Sequence, residues 1–244
     1  SCLVGSEMCI RDSTDRGFTM PQTEMTCHSP ATEQAPDGAT RIALIGSPNG
    51  GKTSIFNQLT GLHAKTGNYP GVTVSRSEGV ARIHDHTFAI EDLPGTYSLS
   101  PISPDEQVVV DVLDGRMDQV SAPDALVVVA DATALRRSLL LLAEVLPRHL
   151  PTAVVVTMTD ELRRRQGSLD VTALSQALGV PVVAVVANRG IGIGELRNLL
   201  TTWHDWDRPP LDPPSRSSEL AGWVDSVLDT AGYEDPDPDS RTER

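Results

Sequence analysis

Cysteines are scarce in this chain, and all of them lie before its first strand-like segment. Cys2, Cys9 and Cys27 show no metal-ligand spacing. A disulfide framework and a cysteine-ligated metal in the core are therefore excluded, and a reducing cytosol is favoured. Long hydrophobic runs are also missing: Ala125–Ala130 and Val180–Ala187 have strand length, far short of the roughly 18 residues that cross a bilayer. We expect the fragment itself to be soluble.

Positive charge is the third shortage. The 244 residues carry 33 Asp and Glu against 20 Lys and Arg, which gives a net charge of −13. This balance argues against nucleic-acid binding by general electrostatics, so we expect no nucleic-acid partner. Only two of the basic residues are lysines, Lys52 and Lys65. The length suits one ordinary domain with appendages.

A phosphate-binding pattern is the clearest feature that is present. The stretch Gly46-Ser47-Pro48-Asn49-Gly50-Gly51-Lys52-Thr53 matches G-x-x-x-x-G-K-[ST], between an apolar run and a helix-compatible run that starts at Ser54, as the pattern requires. Glycines let backbone N–H groups surround a polyphosphate, and the helix N-terminus adds its positive dipole end. Lys52 would neutralise the β- and γ-phosphates, and the Thr53 hydroxyl would bind Mg²⁺. The sequence therefore predicts a nucleotide site.

Strand-like and helix-like segments alternate after this loop. Leu62–Val72 is predicted as a loop, and Val74–Ile83 and Thr87–Glu91 as a hairpin. Ser103 and Pro104 indicate the start of a helix. Arg163–Arg165 is predicted as a solvated loop. Further strands are predicted at 125–130, 152–158 and 182–186, and further helices at 135–146, 171–178 and 193–203. Such repeated βα units indicate an α/β fold with a mostly parallel sheet.

Two motifs at predicted strand ends would contact the γ-phosphate and Mg²⁺. Gly71-Val72-Thr73 lies before the second strand, where the Thr73 hydroxyl would bind Mg²⁺ and its N–H the γ-phosphate, so that the loop orders around a triphosphate. Asp92-Leu93-Pro94-Gly95 ends the third strand and matches D-x-x-G. Asp92 would hold a Mg²⁺-bound water, and the Gly95 N–H would contact the γ-phosphate.

Two further motifs would recognise the base. Thr157-Met158-Thr159-Asp160 ends the fifth strand, where N-[KM]-x-D is usual; the Asp160 carboxylate would accept from guanine N1 and N2. Thr157 replaces the usual Asn and cannot make an amide's simultaneous donor and acceptor contacts. Ala187-Asn188-Arg189 follows the last strand, where backbone N–H groups would contact the guanine oxygen. Motifs in this order, each at a strand end, indicate a GTP-hydrolysing switch protein.

The residues resemble the cytoplasmic GTP-binding domain of the bacterial ferrous-iron transport protein B family. The resemblance covers Ile42 to about Leu200 and is most specific in the stretches Gly67–Val74 (GNYPGVTV) and Asp92–Leu99 (DLPGTYSL). It implies a P-loop NTPase of the Ras-like GTPase fold, with a mostly parallel six-stranded sheet, one antiparallel edge hairpin and helices on both faces.

The resemblance also implies how the chain is divided. Family members carry this domain ahead of a membrane-embedded transporter, so we expect a C-terminal membrane domain as partner, self-association in the full-length protein and a location at the cytoplasmic face of the inner membrane. The predicted parts are a disordered tail (1–40, of which 1–13 looks non-native), the GTP-binding domain (41–203), a linker (204–216), an amphipathic helix (217–232) and a polar linker toward the membrane domain (233–244). The family's usual helical insertion has no room here.

A mechanism for hydrolysis follows from the same resemblance. Thr96 follows Asp92–Gly95, so the glutamine that orients the attacking water in many GTPases is absent. Similar GTPases use K⁺ in place of an arginine finger, and Asn49 would bind it together with carbonyls near Gly67–Pro70. The predicted catalytic residues are Asn49, Lys52, Thr73 and Gly95. The predicted ligands are GTP or GDP, Mg²⁺ at Thr53, Thr73 and Asp92, and K⁺ at Asn49, with slow intrinsic turnover.

Two other functions stay open on the sequence alone. One is a free-standing K⁺-dependent GTPase of ribosome or tRNA maturation, which would carry a basic nucleic-acid-binding domain; the acidic end Glu234–Asp239 gives that no support. The other is a regulatory module that binds nucleotide with negligible turnover, an alternative that the missing glutamine keeps open.

Overall fold

The computed structural model describes residues 36, 38–61, 64–206, 213–214 and 217–235. Most of the predicted tail, most of the predicted linker after residue 206 and the polar end from 236 lie outside the described residues. The strands are β1 (Thr40–Gly46), β2 (Ala64–Asn68), β3 (Ser75–Ile83), β4 (His86–Asp92), β5 (Ala125–Asp131), β6 (Thr152–Thr157) and β7 (Val182–Ala184). The α-helices are α1 (Lys52–Thr60), α2 (Pro104–Leu113), α3 (Leu135–Val145), α4 (Thr159–Arg164), α5 (Val171–Leu178), α6 (Ile193–Thr201) and α7 (Ser217–Thr230).

The strands form one sheet in the order β2-β3-β4-β1-β5-β6-β7. β1 pairs in parallel with β4 and β5, and β6 and β7 continue the parallel part. β3 is antiparallel to both β2 and β4. The predicted fold class, a mostly parallel sheet with an antiparallel edge, is confirmed. The carboxyl ends of β1, β4, β5, β6 and β7 consequently meet at one edge, where ligands bind in open α/β sheets.

The sheet has seven strands instead of the predicted six, because Ala64–Asn68 forms the edge strand β2. The sequence Ala-Lys-Thr-Gly-Asn has weak intrinsic strand preference, which is why it was predicted as loop. Its register against β3, from Ala64 opposite Gly79 to Asn68 opposite Ser75, provides the hydrogen bonds that the local sequence does not indicate.

Two local helix signals have different outcomes. The predicted start of α2 is confirmed: the Ser103 hydroxyl accepts from the Glu106 N–H, the Glu106 carboxylate accepts from the Ser103 N–H, and Pro104 is the first helical residue. The predicted loop at Arg163–Arg165 is wrong, since α4 runs through Arg164. Acidic residues in its first turn and arginines in its last complement the helix dipole.

Apolar side chains fill both faces of the sheet. One core cluster takes residues from α2, α3, α5 and α7, and the other takes residues from α1 and α6. α7 packs against α3 and α5, with Val224, Val227 and Leu228 buried. Just after it, the Tyr233 hydroxyl donates to the Ala132 carbonyl at 3.0 Å, and burial, with the nearby Asp235 charge, raises the pKa of Tyr233 to about 12. Within the described part of the chain, every helix is too short or too polar to span a membrane.

Candidate functional site

The phosphate-loop segment connects the central strand β1 to α1. Asn49 and Gly51 have φ angles of 63° and 87°, and the Gly50 N–H donates to the Ser47 carbonyl at 3.2 Å. These two left-handed residues turn the chain sharply into α1; Asn tolerates this region and Gly occupies it freely. Among the residues that the structure describes, no side chain caps the N-terminus of α1, so its first N–H groups stay available to an anion.

Lys52, Thr53 and Asp92 form one polar cluster at the ends of β1 and β4. The Lys52 ammonium lies 2.6 Å from Asp92 Oδ1, and the Thr53 hydroxyl donates to Asp92 Oδ2 at 2.8 Å. The Lys52 and Asp92 side chains are each 9% exposed. A hydroxyl and a carboxylate are hard oxygen ligands of the kind that Mg²⁺ prefers. The residues present thus fit the predicted phosphate and Mg²⁺ roles.

The Asp92–Gly95 turn packs directly on the phosphate loop. A Cβ added to Gly95 would lie 2.9 Å from both Cα and Cγ of Pro48, and the Thr96 N–H donates to the Gly46 carbonyl at 3.1 Å. Leu93 is fully buried. Thr96 is also fully buried, and its hydroxyl donates to the Ser98 carbonyl at 2.5 Å. The side chain that follows the D-x-x-G motif is therefore turned into the protein.

The predicted switch residue Thr73 is not part of the Lys52 cluster. It lies in an exposed loop with Gly71 and Val72, beside Pro104 at the start of α2. Among the described residues it makes no hydrogen bond to Lys52, Thr53 or Asp92. Gly71 turns this loop with a φ of 78°, and the Tyr69 N–H donates to the Val74 carbonyl at 2.9 Å.

The predicted K⁺ ligands also lie in different parts of the sheet. Asn49 is exposed in the phosphate loop, whereas Gly67 and Asn68 belong to β2 and pair with β3. Two strands, β3 and β4, separate β2 from β1. The Asn49 side chain and the carbonyls of Gly67–Pro70 would therefore meet only after a movement of the segment that carries these carbonyls.

The base-recognition residues lie at the ends of β6 and β7. Asp160 is in the first turn of α4, and its Oδ2 lies 3.8 Å from an Arg189 guanidinium nitrogen. Met158 is left-handed (φ 56°) and 36% exposed. Ala187, Asn188 and Arg189 form a 3₁₀ turn, held to α1 by a hydrogen bond from Gln58 to the Ala187 carbonyl at 3.0 Å.

Thr157 points away from this edge and toward the phosphate loop. Its hydroxyl donates to the Gly50 carbonyl at 2.7 Å, with the Ala130 carbonyl at 3.2 Å. The side chain is 2% exposed. The sequence indicated that Thr157 cannot replace the amide of Asn, but it gave no sign of this contact, which spans 107 residues of sequence.

A buried polar network beside Asp92 was not predicted. Glu91 Oε1 accepts from the Tyr69 hydroxyl and from Arg76 Nε, both at 2.9 Å, and Oε2 accepts from Arg41 at 3.3 Å. Burial and the neighbouring Glu91 carboxylate raise the pKa of Tyr69. Burial lowers the pKa of Arg76, but the hydrogen bond to Glu91 and the negative charges of Glu91 and Glu78 together outweigh it, so the net shift is upward. The charged residue directly after the apolar run Phe88–Ile90 was the available signal, because a buried carboxylate requires partners.

A phosphate loop after the central strand, packed against a D-x-x-G turn from the adjacent parallel strand, defines a GTPase-type P-loop domain. A sequence model described as "Ferrous iron transport protein B" matches residues 40–200. The chain belongs to that family, and the resemblance inferred from its motifs is confirmed.

Curated relatives and solved structures agree with this assignment. The Fe(2+) transporter FeoB of Leptospira biflexa is 43% identical over 160 residues, which cover 66% of this chain and 23% of that protein. FeoB of Salmonella choleraesuis is 45% identical over 197 residues, or 79% of this chain and 24% of that protein. The chain thus spans about a quarter of the length of these relatives.

The similar structures are FeoB domains. The G domain of the T. maritima FeoB iron transporter is 37% identical with a TM-score of 0.62, covering 68% of this chain and 99% of that one. A mutant of S. thermophilus NFeoB bound to GDP is 38% identical with a TM-score of 0.63, covering 73% of this chain and 66% of that one.

Proposed function

We propose that this chain binds GTP and GDP with Mg²⁺, hydrolyses GTP slowly, and is the switch domain of a ferrous-iron transporter. The observation that carries the proposal is the Lys52–Thr53–Asp92 cluster at the N-terminus of α1, with its short contacts and the low exposure of Lys52 and Asp92. The GDP bound in the S. thermophilus neighbour supports it.

Each residue of the cluster has a distinct role in the proposal. Lys52 would exchange its contact with Asp92 for the β- and γ-phosphate oxygens, while the uncapped N–H groups of α1 contact the same phosphates. Thr53 and Asp92 would hold Mg²⁺ directly and through water. The bound Mg²⁺ would supply neutralisation of charge on the β- and γ-phosphate oxygens. The Gly95 N–H and, after loop movement, Thr73 would contact the γ-phosphate.

Asn49 is the proposed K⁺ ligand. It is exposed in the phosphate loop, where its backbone is left-handed. A bound K⁺ would offset charge that develops at the β–γ bridge. No glutamine follows Gly95, and Thr96 is buried, so this chain has no evident side chain there for orienting water.

The experiment combines phosphate release with nucleotide titration. The wild type should hydrolyse GTP at least about tenfold faster in KCl than in NaCl. An arginine finger raises the rate of hydrolysis by roughly 10³–10⁵, and K⁺ would supply part of that acceleration. Asn49→Ala should lose that difference, and the control Asn198→Ala, an exposed α6 residue, should keep it. Lys52→Ala should bind GDP at least about tenfold more weakly, whereas Lys65→Ala, which removes the other lysine, should bind normally.

Either of two results would contradict the proposal. Equal wild-type rates in the two salts would contradict the role of K⁺. Equal GDP affinity of Lys52→Ala and Lys65→Ala would contradict the assignment of the phosphate site.

The buried Thr96 favours a second candidate, a nucleotide-binding regulatory module with negligible turnover. Its hydroxyl is committed to the Ser98 carbonyl, so it cannot position water. A single-turnover assay with enzyme in excess distinguishes the two candidates: release of phosphate from bound GTP supports the GTPase, and retention of intact GTP supports the module.

The transporter context rests on the relatives. They are named Fe(2+) transporters, and this chain matches only about a quarter of each. We infer a membrane domain as the partner, self-association in the full-length protein and a position at the cytoplasmic face of the inner membrane. Family membership argues against the free-standing GTPase. Full-length protein with Lys52→Ala should then show less Fe²⁺ uptake than with Lys65→Ala; equal uptake would contradict the coupling.

A further inference from the structure

Thr157, at the start of the base-recognition motif, directs both branches of its side chain at the phosphate loop. Its hydroxyl lies 2.7 Å from the Gly50 carbonyl oxygen. Its methyl carbon would lie 3.4 Å from a Cβ added to Gly51. With 2% of the residue exposed, Thr157 fills the space between β6 and the loop and has almost no surface that a base could reach.

The side-chain hydroxyl of Thr157 has no hydrogen left to donate to a ligand. A hydroxyl has one hydrogen to donate. Its two neighbours are the carbonyl oxygens of Gly50 and Ala130, at 2.7 and 3.2 Å, and both can only accept. An amide in this position would have two hydrogens, one for Gly50 and one for a ligand.

The two edges of guanine require different protein groups. Guanine presents the acceptors N7 and O6 on one edge and the N1 and N2 hydrogens on the other. A carboxylate such as Asp160 only accepts, so it suits the N1 and N2 edge. The N–H groups of Ala187–Arg189 serve O6 in the proposed function. Of these groups, none is then left to donate to N7.

We propose that Thr157 is a specificity-determining residue that holds the phosphate loop through Gly50 and offers the purine N7 no side-chain donor. The inference rests on the proposed function, since it takes the chain to bind guanine nucleotides. The ligand class is consequently nucleotides whose base has a hydrogen on N1, whatever atom stands at position 7.

The test compares the dissociation constants of GDP and 7-deaza-GDP, in which carbon replaces N7. For the wild type the two constants should agree within about twofold, because no hydrogen bond is lost. Thr157→Asn should bind GDP about 3- to 10-fold more tightly, because the longer amide side chain adds a second hydrogen for N7 while the first is given to Gly50. Its affinity for 7-deaza-GDP should not improve, so the ratio of the two constants should rise by the same factor.

Two valine variants separate base recognition from loop support. Thr157→Val keeps the shape and removes the hydroxyl, so it should weaken both ligands equally and leave the ratio near one. Thr152→Val removes a comparable bond at the other end of β6, where the buried Thr152 hydroxyl donates to the Leu150 carbonyl at 2.8 Å. It should change neither constant. Thermal unfolding of each variant verifies folding, and if Thr157→Asn does not fold, the wild-type ratio and Thr157→Val still decide.

The outcomes distinguish a failure of this inference about Thr157 from a failure of the proposed function on which it rests. A wild type that does not bind GDP overturns the proposed function. A wild type that binds GDP but binds 7-deaza-GDP fivefold or more weakly overturns the role of Thr157 alone. Equal wild-type constants with a raised ratio in Thr157→Asn support it.

Discussion

Replacing Glu91 by Gln would remove the charge at the centre of the buried network beside the phosphate loop. Glu91 is 4% exposed and accepts hydrogen bonds from Tyr69, Arg76 and Arg41 through its two oxygens. Gln keeps the shape but has one acceptor oxygen and an NH₂ group that only donates. At least one guanidinium would therefore lose one of its two carboxylate partners, and we expect the domain to be less stable.

The magnitude follows from how deeply the partners are buried. Removing one member of a fully buried ion pair costs about 3–5 kcal/mol. The Arg41 and Arg76 side chains are each 21% exposed and both also pair with Glu78, so water and the second carboxylate offset part of the loss. We expect about 2–3 kcal/mol of lost unfolding free energy, which lowers Tm by about 4–12 °C in a domain of this size.

Thermal and urea unfolding measure this effect against a matched control. Glu161→Gln also removes a carboxylate that pairs with two arginines, Arg164 and Arg165, but on the exposed surface of α4, and its Tm should hardly change. Tyr69→Phe, alone and combined with Glu91→Gln, should give a double-mutant cycle with positive coupling. A Tm for Glu91→Gln equal to that of Glu161→Gln would refute the assignment of stability to this network.

Two further changes test other contacts. Gly95→Ala should lower the unfolding free energy by about 1–3 kcal/mol in calorimetry, because the new Cβ would lie 2.9 Å from the Pro48 backbone. The control Gly194→Ala, whose Cβ would have open space on α6, should be neutral or stabilising. Equal stability of the two variants would contradict the steric argument. Tyr233→Phe tests stability at alkaline pH. Burial raises the pKa of Tyr233 to about 12, above the roughly 10 of an unfolded tyrosine. The stability that the protonated hydroxyl contributes is therefore complete below pH 10 and is lost as pH rises toward 12. In urea unfolding between pH 8 and 11, the unfolding free energy of the variant should fall less steeply with pH than that of the wild type. Identical slopes would contradict this role of Tyr233.

Local sequence predicted those parts of the fold whose causes are local. The phosphate loop needs left-handed residues at Asn49 and Gly51, and the start of α2 needs Ser103 and Glu106 three residues apart. Both requirements are met within a few positions of sequence, and the predicted start of α2 is confirmed. The helix α4 was missed although its charges gave a local signal, since Glu161 forms an i,i+4 pair with Arg165.

The remaining features depend on residues distant in sequence. β2 is a strand because β3 lies beside it, and no propensity of Lys65 or Gly67 indicates that pairing. Likewise Glu91 finds Arg41 at a separation of 50 residues, and Ser98 donates to Glu144 at a separation of 46. Periodicity shows that a position is buried, but it does not identify the partner, which only the folded chain defines.

The contact between Gly95 and Pro48 has a consequence for how the two loops would communicate. They touch through backbone and ring atoms, with no room for even a methyl group between them. A displacement of Gly95 toward Pro48 would therefore be resisted by repulsion between atoms, which neither dissolved salt nor a change of pH screens. This steric part of the coupling between the D-x-x-G turn and the phosphate loop should accordingly be insensitive to ionic strength, even in a protein of such high net charge.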